Sequence, residues 1–303
     1  MGRRAGDVAF LVARKRARIG YANLTAALGS RYTPAERRRI IRRAFHQLAQ
    51  GAVELLRLPL MDRDYVKRYI TLNHFDRIAS ALQQGHGLIF LTSHFGNWEL
   101  SSIVGGLVGY PVTALARIQQ FPRLYRLLNR MREAKGCRVI AKGMAMRDLI
   151  KTLREGQIVG ILSDQDAKEH GEYLPLFGRP ASVAKGAVQL ALETGAVILP
   201  TFIHRTRGAH HVIDLEPPLE LPEGGDEAAR IRAGLAQFVA HLERHVTEHP
   251  EQWLWMHKRW EARPEHHLAG EERRKAEAGE WVFDTREQCW RTKEGAVVEP
   301  EAR

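Results

Sequence analysis

The segment Ser93-His94-Phe95-Gly96-Asn97-Trp98-Glu99 places an imidazole and a carboxylate with four residues between them in sequence. A neutral imidazole can take the proton of a hydroxyl as that hydroxyl attacks an acyl carbonyl. A carboxylate partner fixes the useful tautomer and stabilises the imidazolium that forms. Such a transfer needs no nucleophile from the protein, and the chain contains no G-x-S-x-G elbow. The spacing alone is weak, because His-x4-Glu occurs four times, at His94/Glu99, His211/Glu216, His266/Glu271 and His267/Glu272. With 14 histidines and 35 acids in 303 residues, about 1.6 matches to His-x4-acid are expected by chance.

Context separates the four. His211 and Glu216 fall in a predicted strand, where an odd separation points them to opposite faces. His266 and His267 lie in a charged tail with no pocket to dry them. His94 follows a buried strand directly and precedes a helix start. Gly96 lets the chain turn tightly or approach a substrate closely. Glu99 falls in the first helical turn, where the helix dipole favours a carboxylate and from which it can reach back to His94. Backbone N–H groups at that helix start are available to a developing oxyanion. The competing reading is a surface histidine beside a helix cap.

The elements that must hold these groups follow an α/β alternation. Thr33-Pro34-Ala35-Glu36 is a capping box with proline at the first helical position. Beyond it Ile41, Phe45, Leu48, Ala52 and Leu56 share one helical face, with Arg39, Arg43 and Gln50 largely off it, until Pro59. Helix is then predicted around Phe75, Ile78 and Leu82, over Asn97 to Val108, around Leu124 to Met131, over Met146 to Glu155, Ser182 to Thr194 and Asp226 to Glu248. Strands are predicted over Leu88 to Thr92, Pro111 to Ala116, Cys137 to Ala141, Gln157 to Ser163 and Ala196 to His204, with His210 to Glu216 as an edge strand. Four helix-to-strand returns imply a mixed, largely parallel sheet flanked by helices, with functional groups at strand ends.

Charge is unevenly placed. Residues 1–50 carry twelve Lys or Arg against Asp7 and Glu36, so nearly all of the formal +11 sits in one sixth of the chain. Such an end suits an anionic lipid surface or nucleic acid. Aromatic residues are not interleaved with the basic stretch as single-strand stacking requires, so no nucleic acid is expected. No run approaches the roughly 18 apolar residues of a membrane span, and no signal peptide is read. Cys137 and Cys289 make no disulfide framework, which points to a reducing compartment. His204, His210 and His211 lack a ligand spacing, so no metal site is expected. Trp253, Trp255 and Trp260 read as core or interface anchors.

The blocks together resemble those of the lipid A biosynthesis (lauroyl/myristoyl-type) acyltransferases, within the lysophospholipid acyltransferase superfamily. Ser93 to Leu100 is similar to the family's His-x4-acid block. Ser163-Asp164-Gln165-Asp166 with Pro175-Leu176-Phe177-Gly178-Arg179-Pro180-Ala181, Gly195-Ala196-Val197 with Pro200, and Trp253 to Trp260 resemble its later ones. The resemblance implies a glycerol-phosphate-acyltransferase-like fold over 1–262, a charged tail over 263–303, and a basic amphipathic membrane-contacting segment over 1–58. It implies His94 as general base and Glu99 as its partner. It further implies an acyl-ACP or acyl-CoA thioester as co-substrate, with no other cofactor, and a lipid A precursor as acceptor. Another glycolipid or lysophospholipid, such as a phosphatidylinositol mannoside, is the alternative acceptor. Arg117 and Arg132 are expected to bind anionic parts of donor or acceptor. Asp164, ending a predicted strand, is expected near the site, with Asn97 and Gly96 in the block itself. Family members typically open on a membrane-spanning helix, and this chain begins about where such a helix ends. Peripheral attachment to the cytoplasmic face of the inner membrane is then expected from the basic N-terminus, at about 1 kcal/mol per Lys or Arg near an anionic surface.

Overall fold

The computed structural model describes residues 2–116, 121–141, 145–268, 270–285 and 288–298. Three helices come first: α1 (Gly2–Val12), α2 (Arg14–Leu28) and α3 (Pro34–Leu56). The capping box forms as expected, with Thr33 accepting from the Glu36 N–H while Glu36 accepts from the Thr33 N–H. The first 3-layer unit then runs α4 (Arg63–Tyr69), β1 (Ile70–Asn73), α5 (Asp76–Leu82), β2 (Leu88–Thr92), α6 (Trp98–Leu107), β3 (Val112–Ala116), α7 (Pro122–Glu133), β4 (Arg138–Ala141), α8 (Ala145–Arg154) and β5 (Ile158–Leu162). A hairpin of β6 (Glu172–Leu176) and β7 (Arg179–Val183) interrupts it before α9 (Gly186–Thr194), β8 (Val197–Arg207), β9 (His210–Leu215) and α10 (Glu227–Glu248). A terminal group of α11 (Gly270–Glu277), β10 (Trp281–Asp284), β11 (Cys289–Thr292) and β12 (Val297–Val298) follows.

The main sheet has seven strands in the order β1-β9-β8-β2-β5-β3-β4. The five from β8 to β4 are parallel, and β9 runs against β8 with β1 parallel to it. The fold is therefore α/β with a mostly parallel mixed sheet flanked by helices. β9 does not form the edge expected of it, because the short β1 pairs outside it. Ser182 and Val183, expected to open a helix, instead close the β6–β7 hairpin, whose helix begins only at Gly186.

The pleat sorts the strands' side chains onto two faces. Ile89, Leu91, Val159, Ile161, Ile198 and Phe202 face a large core shared with α2, α3, α8, α9 and α10. Leu88, Phe90, Thr92, Gly160, Leu162 and Thr201 face the other way, toward α4, α5, α6 and α7. The first face is covered by that core. The second holds a cavity.

The terminal group has a small cluster of its own, Leu268, Ala276 and Trp290, and meets the β6–β7 hairpin through Tyr173 against Phe283 and the Gln288 amide on the Tyr173 carbonyl.

Candidate active site

β2 delivers His94 to the carboxyl end of the sheet, and its parallel neighbour β5 delivers Asp164 to the same level. Thr92 pairs with Leu162, and the Ser163 N–H donates to the Thr92 carbonyl at 3.1 Å, so the two strands leave the sheet side by side. His94 Nδ1–H donates to Asp164 Oδ1 at 2.7 Å, and Trp253 Nε1–H donates to Asp164 Oδ2 at 2.9 Å. Asp164 is 3% exposed and held from both sides. Burial pushes its carboxyl up, but the His94 charge and the hydrogen bonds from His94 and Trp253 outweigh it, and its pKa lies below the ordinary value. For His94 burial works against the imidazolium, yet the Asp164 charge and hydrogen bond win, and its pKa lies above the ordinary value.

With its Nδ1 proton committed to Asp164, His94 presents the Nε2 lone pair to the cavity. The Gln165 side-chain amide stands 3.3 Å from that nitrogen, and the Trp98 ring lies edge-on to the imidazole at 5.0 Å between centroids.

The reach from Glu99 back to His94 expected from the spacing is not what the fold uses. Glu99 is the second residue of α6, and its Oε2 accepts from Arg132 Nε at 3.0 Å and lies 2.8 Å from Nη2. A guanidinium fork across the cavity competes for the carboxylate, leaving Glu99 to act on His94 only through its charge, which raises the imidazole's pKa. Arg132 is itself buried and also donates to Asn129 Oδ1. Arg132 and Glu99 both line the cavity near His94, whereas Arg117 lies outside the described residues.

Asn97 and Gly96 hold the turn. Asn97 begins α6 without capping it, because its Nδ2 donates instead to Glu54 Oε2 of α3 at 2.7 Å. Gly96 has φ +57°, and a Cβ there would lie 1.9 Å from the Ile203 carbonyl oxygen. No other residue fits without moving β8. Gly96→Ala is expected to cost upward of 2 kcal/mol of stability and most of the activity, read by denaturant unfolding and turnover. A variant as stable and active as the parent would refute the close approach. The segment 252–254 closes over the turn: Gly96 N–H donates to the Gln252 carbonyl, Phe95 bridges Trp253, and Leu254 N–H donates to the His94 carbonyl.

Glu54 and Arg205 escaped the sequence reading. Arg205 donates through both terminal nitrogens to the Glu54 carboxylate, both residues being buried, and also through Nε to Gln47 Oε1 at 2.9 Å and through Nη1 to the Gly208 carbonyl. His211, fully buried beside them, has its pKa pushed down to about 4, chiefly by burial. Trp253, expected as a core or interface anchor, is buried in the core, and its indole N–H is also the second hydrogen bond to Asp164.

A cavity of about 510 Å³ opens at His94 and runs beneath α6 between the sheet and α5. Its lining is mostly aliphatic and aromatic, with His94, Glu99, Arg132 and Gln165 gathered among its few charged or amide-bearing residues. A polar dyad at one part of an apolar hole suits a substrate with a reactive polar head and a hydrocarbon body.

The model of the bacterial lipid A biosynthesis acyltransferases matches residues 1–262 of the chain. The chain belongs to this family. Among proteins similar to this acyltransferase-family chain is the phosphatidylinositol mannoside acyltransferase of Mycobacterium tuberculosis (strain CDC 1551 / Oshkosh), 26% identical over 213 residues, 68% of this chain and 66% of that protein. The lipid A biosynthesis palmitoleoyltransferase of Escherichia coli (strain K12) is 25% identical over 270 residues, covering 87% and 85% of the two chains. The lipid A biosynthesis lauroyltransferase of the same strain is 26% identical over 266 residues, covering 86% and 84%. The chain thus spans just under two thirds of the mycobacterial relative and most of the two enterobacterial ones. Among the described residues of this family member, no helix is long and apolar enough to cross a membrane.

Proposed function

We propose that the chain transfers a fatty acyl group from an acyl-ACP or acyl-CoA thioester to a hydroxyl of a lipid A precursor, with His94 as general base. The observation that carries this reading is the His94–Asp164 pair set in an apolar cavity. The acceptor hydroxyl occupies the space before His94 Nε2, now faced by Gln165. Its oxygen attacks the thioester carbonyl as its proton passes to Nε2, and Asp164 stabilises the imidazolium. Collapse of the tetrahedral intermediate breaks the C–S bond, and the imidazolium returns the proton to the departing thiolate. The uncapped N–H groups at the start of α6 and the Arg132 guanidinium supply positive charge for the oxyanion and for anionic parts of the substrates.

Glu99 serves in this scheme as the carboxylate that orients Arg132 and adds negative potential at His94. The lipid A precursor is favoured because the family model spans 1–262 and the lipid A enzymes align over most of their length. A phosphatidylinositol mannoside is the second acceptor, favoured by the mycobacterial relatives. The test offers the purified chain labelled acyl-ACP and acyl-CoA with each acceptor and reads the products by mass spectrometry. Acylated lipid A precursor is expected. Transfer to the mannoside alone would replace the acceptor, and transfer to neither would sink the reading.

The same reading places the chain peripherally on the cytoplasmic face of the inner membrane. α1 packs on α3 through Gly6 and Phe10, leaving Val8, Leu11 and Val12 exposed at i, i+3 and i+4 beside Arg4, Arg14 and Lys15. That is the composition of an interfacial helix. Replacing the three apolar residues by serine is expected to weaken binding to anionic vesicles at least tenfold in flotation assays, the residual binding being salt-sensitive. Unchanged binding would remove α1 as the anchor.

A further inference from the structure

The cavity beneath α6 owes its depth to one residue. On β5 the side chains on the cavity side of the sheet are those of alternate positions, Ile158, Gly160 and Leu162, while Val159 and Ile161 face the opposite core. Gly160, beside the small Ala114, therefore leaves a bare patch of strand midway down the wall, between the larger Leu162 above and Val112 below. It pairs with Phe90 on one side and Ala114 on the other, and these three residues all line the cavity. One pleat deeper, Leu88 and Ile158 are fully buried and take no part in the lining. Val112, which pairs with Ile158, is the deepest strand residue of the lining, and Phe75, Ile78 and Val108 surround that end.

Strand geometry converts these levels into chain length. Gly160 lies four residues before Asp164 and Ile158 six, about 13 and 20 Å at 3.3 Å per residue. An extended hydrocarbon advances about 1.25 Å per bond. About ten carbons reach the level of Gly160, and about sixteen reach the floor.

We propose that Gly160, with Val112 below it, sets the acyl-chain length, admitting chains of more than about ten and up to about sixteen carbons. This rests on the acyl-transfer reading and extends it to the donor's chain. A Cβ on Gly160 would come 3.1 Å from Val112 Cγ1, so a larger side chain there can only project into the passage or displace Val112 into the floor. Either movement shortens the hole.

The test gives wild type, Gly160→Val and Val112→Ala acyl-CoA and acyl-ACP donors of eight to eighteen carbons. Both acceptors named above are supplied. The quantity read is the ratio of rates for long and short donors within each variant, which does not depend on the amount of folded protein. Gly160→Val is expected to lower the ratio of fourteen- to eight-carbon transfer at least tenfold, and Val112→Ala to raise transfer of eighteen- relative to fourteen-carbon chains severalfold. Wild-type transfer with profiles unchanged in both variants overturns the assignment. If Gly160→Val gives no transfer with any donor, Val112→Ala decides: an unmoved optimum overturns the assignment and a longer one upholds it. A wild type inactive with every donor overturns the acyl-transfer reading, and this inference with it.

Discussion

Replacing Asp164 by asparagine is expected to lower kcat/KM by about a thousandfold or more, close to the loss from His94→Ala, with the fold retained. The asparagine amide can still occupy the space but presents an N–H or a weak acceptor to His94 Nδ1, so the ring can settle in the tautomer that hides its lone pair from the cavity. The charge that stabilises the imidazolium also disappears. Because the base must be neutral to act, wild-type kcat/KM is expected to rise with pH through the elevated pKa of His94. Removing the carboxylate removes the cause of the elevation, so the acid limb of Asp164→Asn is expected at lower pH even as the plateau collapses. Glu99→Gln is expected to cost about tenfold, since it loses Arg132's partner and a weaker field at His94. The measurement is a pH–rate profile for the three variants. If Glu99→Gln proves as damaging as His94→Ala while Asp164→Asn keeps its turnover, the roles of the two carboxylates are reversed.

The second large effect is on stability. Glu54→Ala is expected to destabilise the chain by about 3–5 kcal/mol, because it strands the Arg205 guanidinium in a dry interior. Against a total of about 5–15 kcal/mol, that is a sizeable fraction of the stability of an ordinary domain and most of it at the low end. It also frees Asn97, whose amide is tied to the same carboxylate, and so loosens the turn that carries His94. His211 adds a pH dependence. Its folded pKa of about 4 lies below the unfolded value, so the unfolded chain binds more protons between about pH 6.5 and 4, and stability is lost as pH falls through that window. Denaturant unfolding at pH 7.5 and 5 reads both effects. A loss below 1 kcal/mol in Glu54→Ala would show that water or another cation relieves Arg205.

Most of the frame could be read from periodicity, because long apolar strands and amphipathic helices carry strong local patterns. β1 could not, since Ile70-Thr71-Leu72-Asn73 is four half-buried residues that become a strand only by pairing with β9. The β6–β7 hairpin was blurred because Ala181 to Ala191 is rich in small and apolar residues, interrupted only by Ser182, Lys185 and Gln189, and reads as helix from either end. The turn itself carries positive φ at both Phe177 and Gly178, where Phe-Gly gives little warning. His94 and its setting between strand and helix were legible. Its partner was not, because Glu99 is near in sequence while Asp164 is near only through the order of strands in the sheet. Asp164 was expected near the site because it ends a predicted strand, and Thr92-Ser93-His94 and Leu162-Ser163-Asp164 leave their strands in the same way, but neither feature pairs the two side chains. Glu54 and Arg205 were hidden for a different reason: in a chain with 46 basic residues, a buried cation looks like any other.

The clasp formed by residues 252–254 has a consequence for synthesis. Asn23 on α2 donates to the Trp255 and His257 carbonyls, while His94 and Gly96 are bonded to Leu254 and Gln252. The first helices and the turn that carries His94 thus wait for a stretch made more than 150 residues after the turn. A nascent chain can assemble its parallel strands early, but His94 cannot be locked in place until residue 257 has cleared the ribosome.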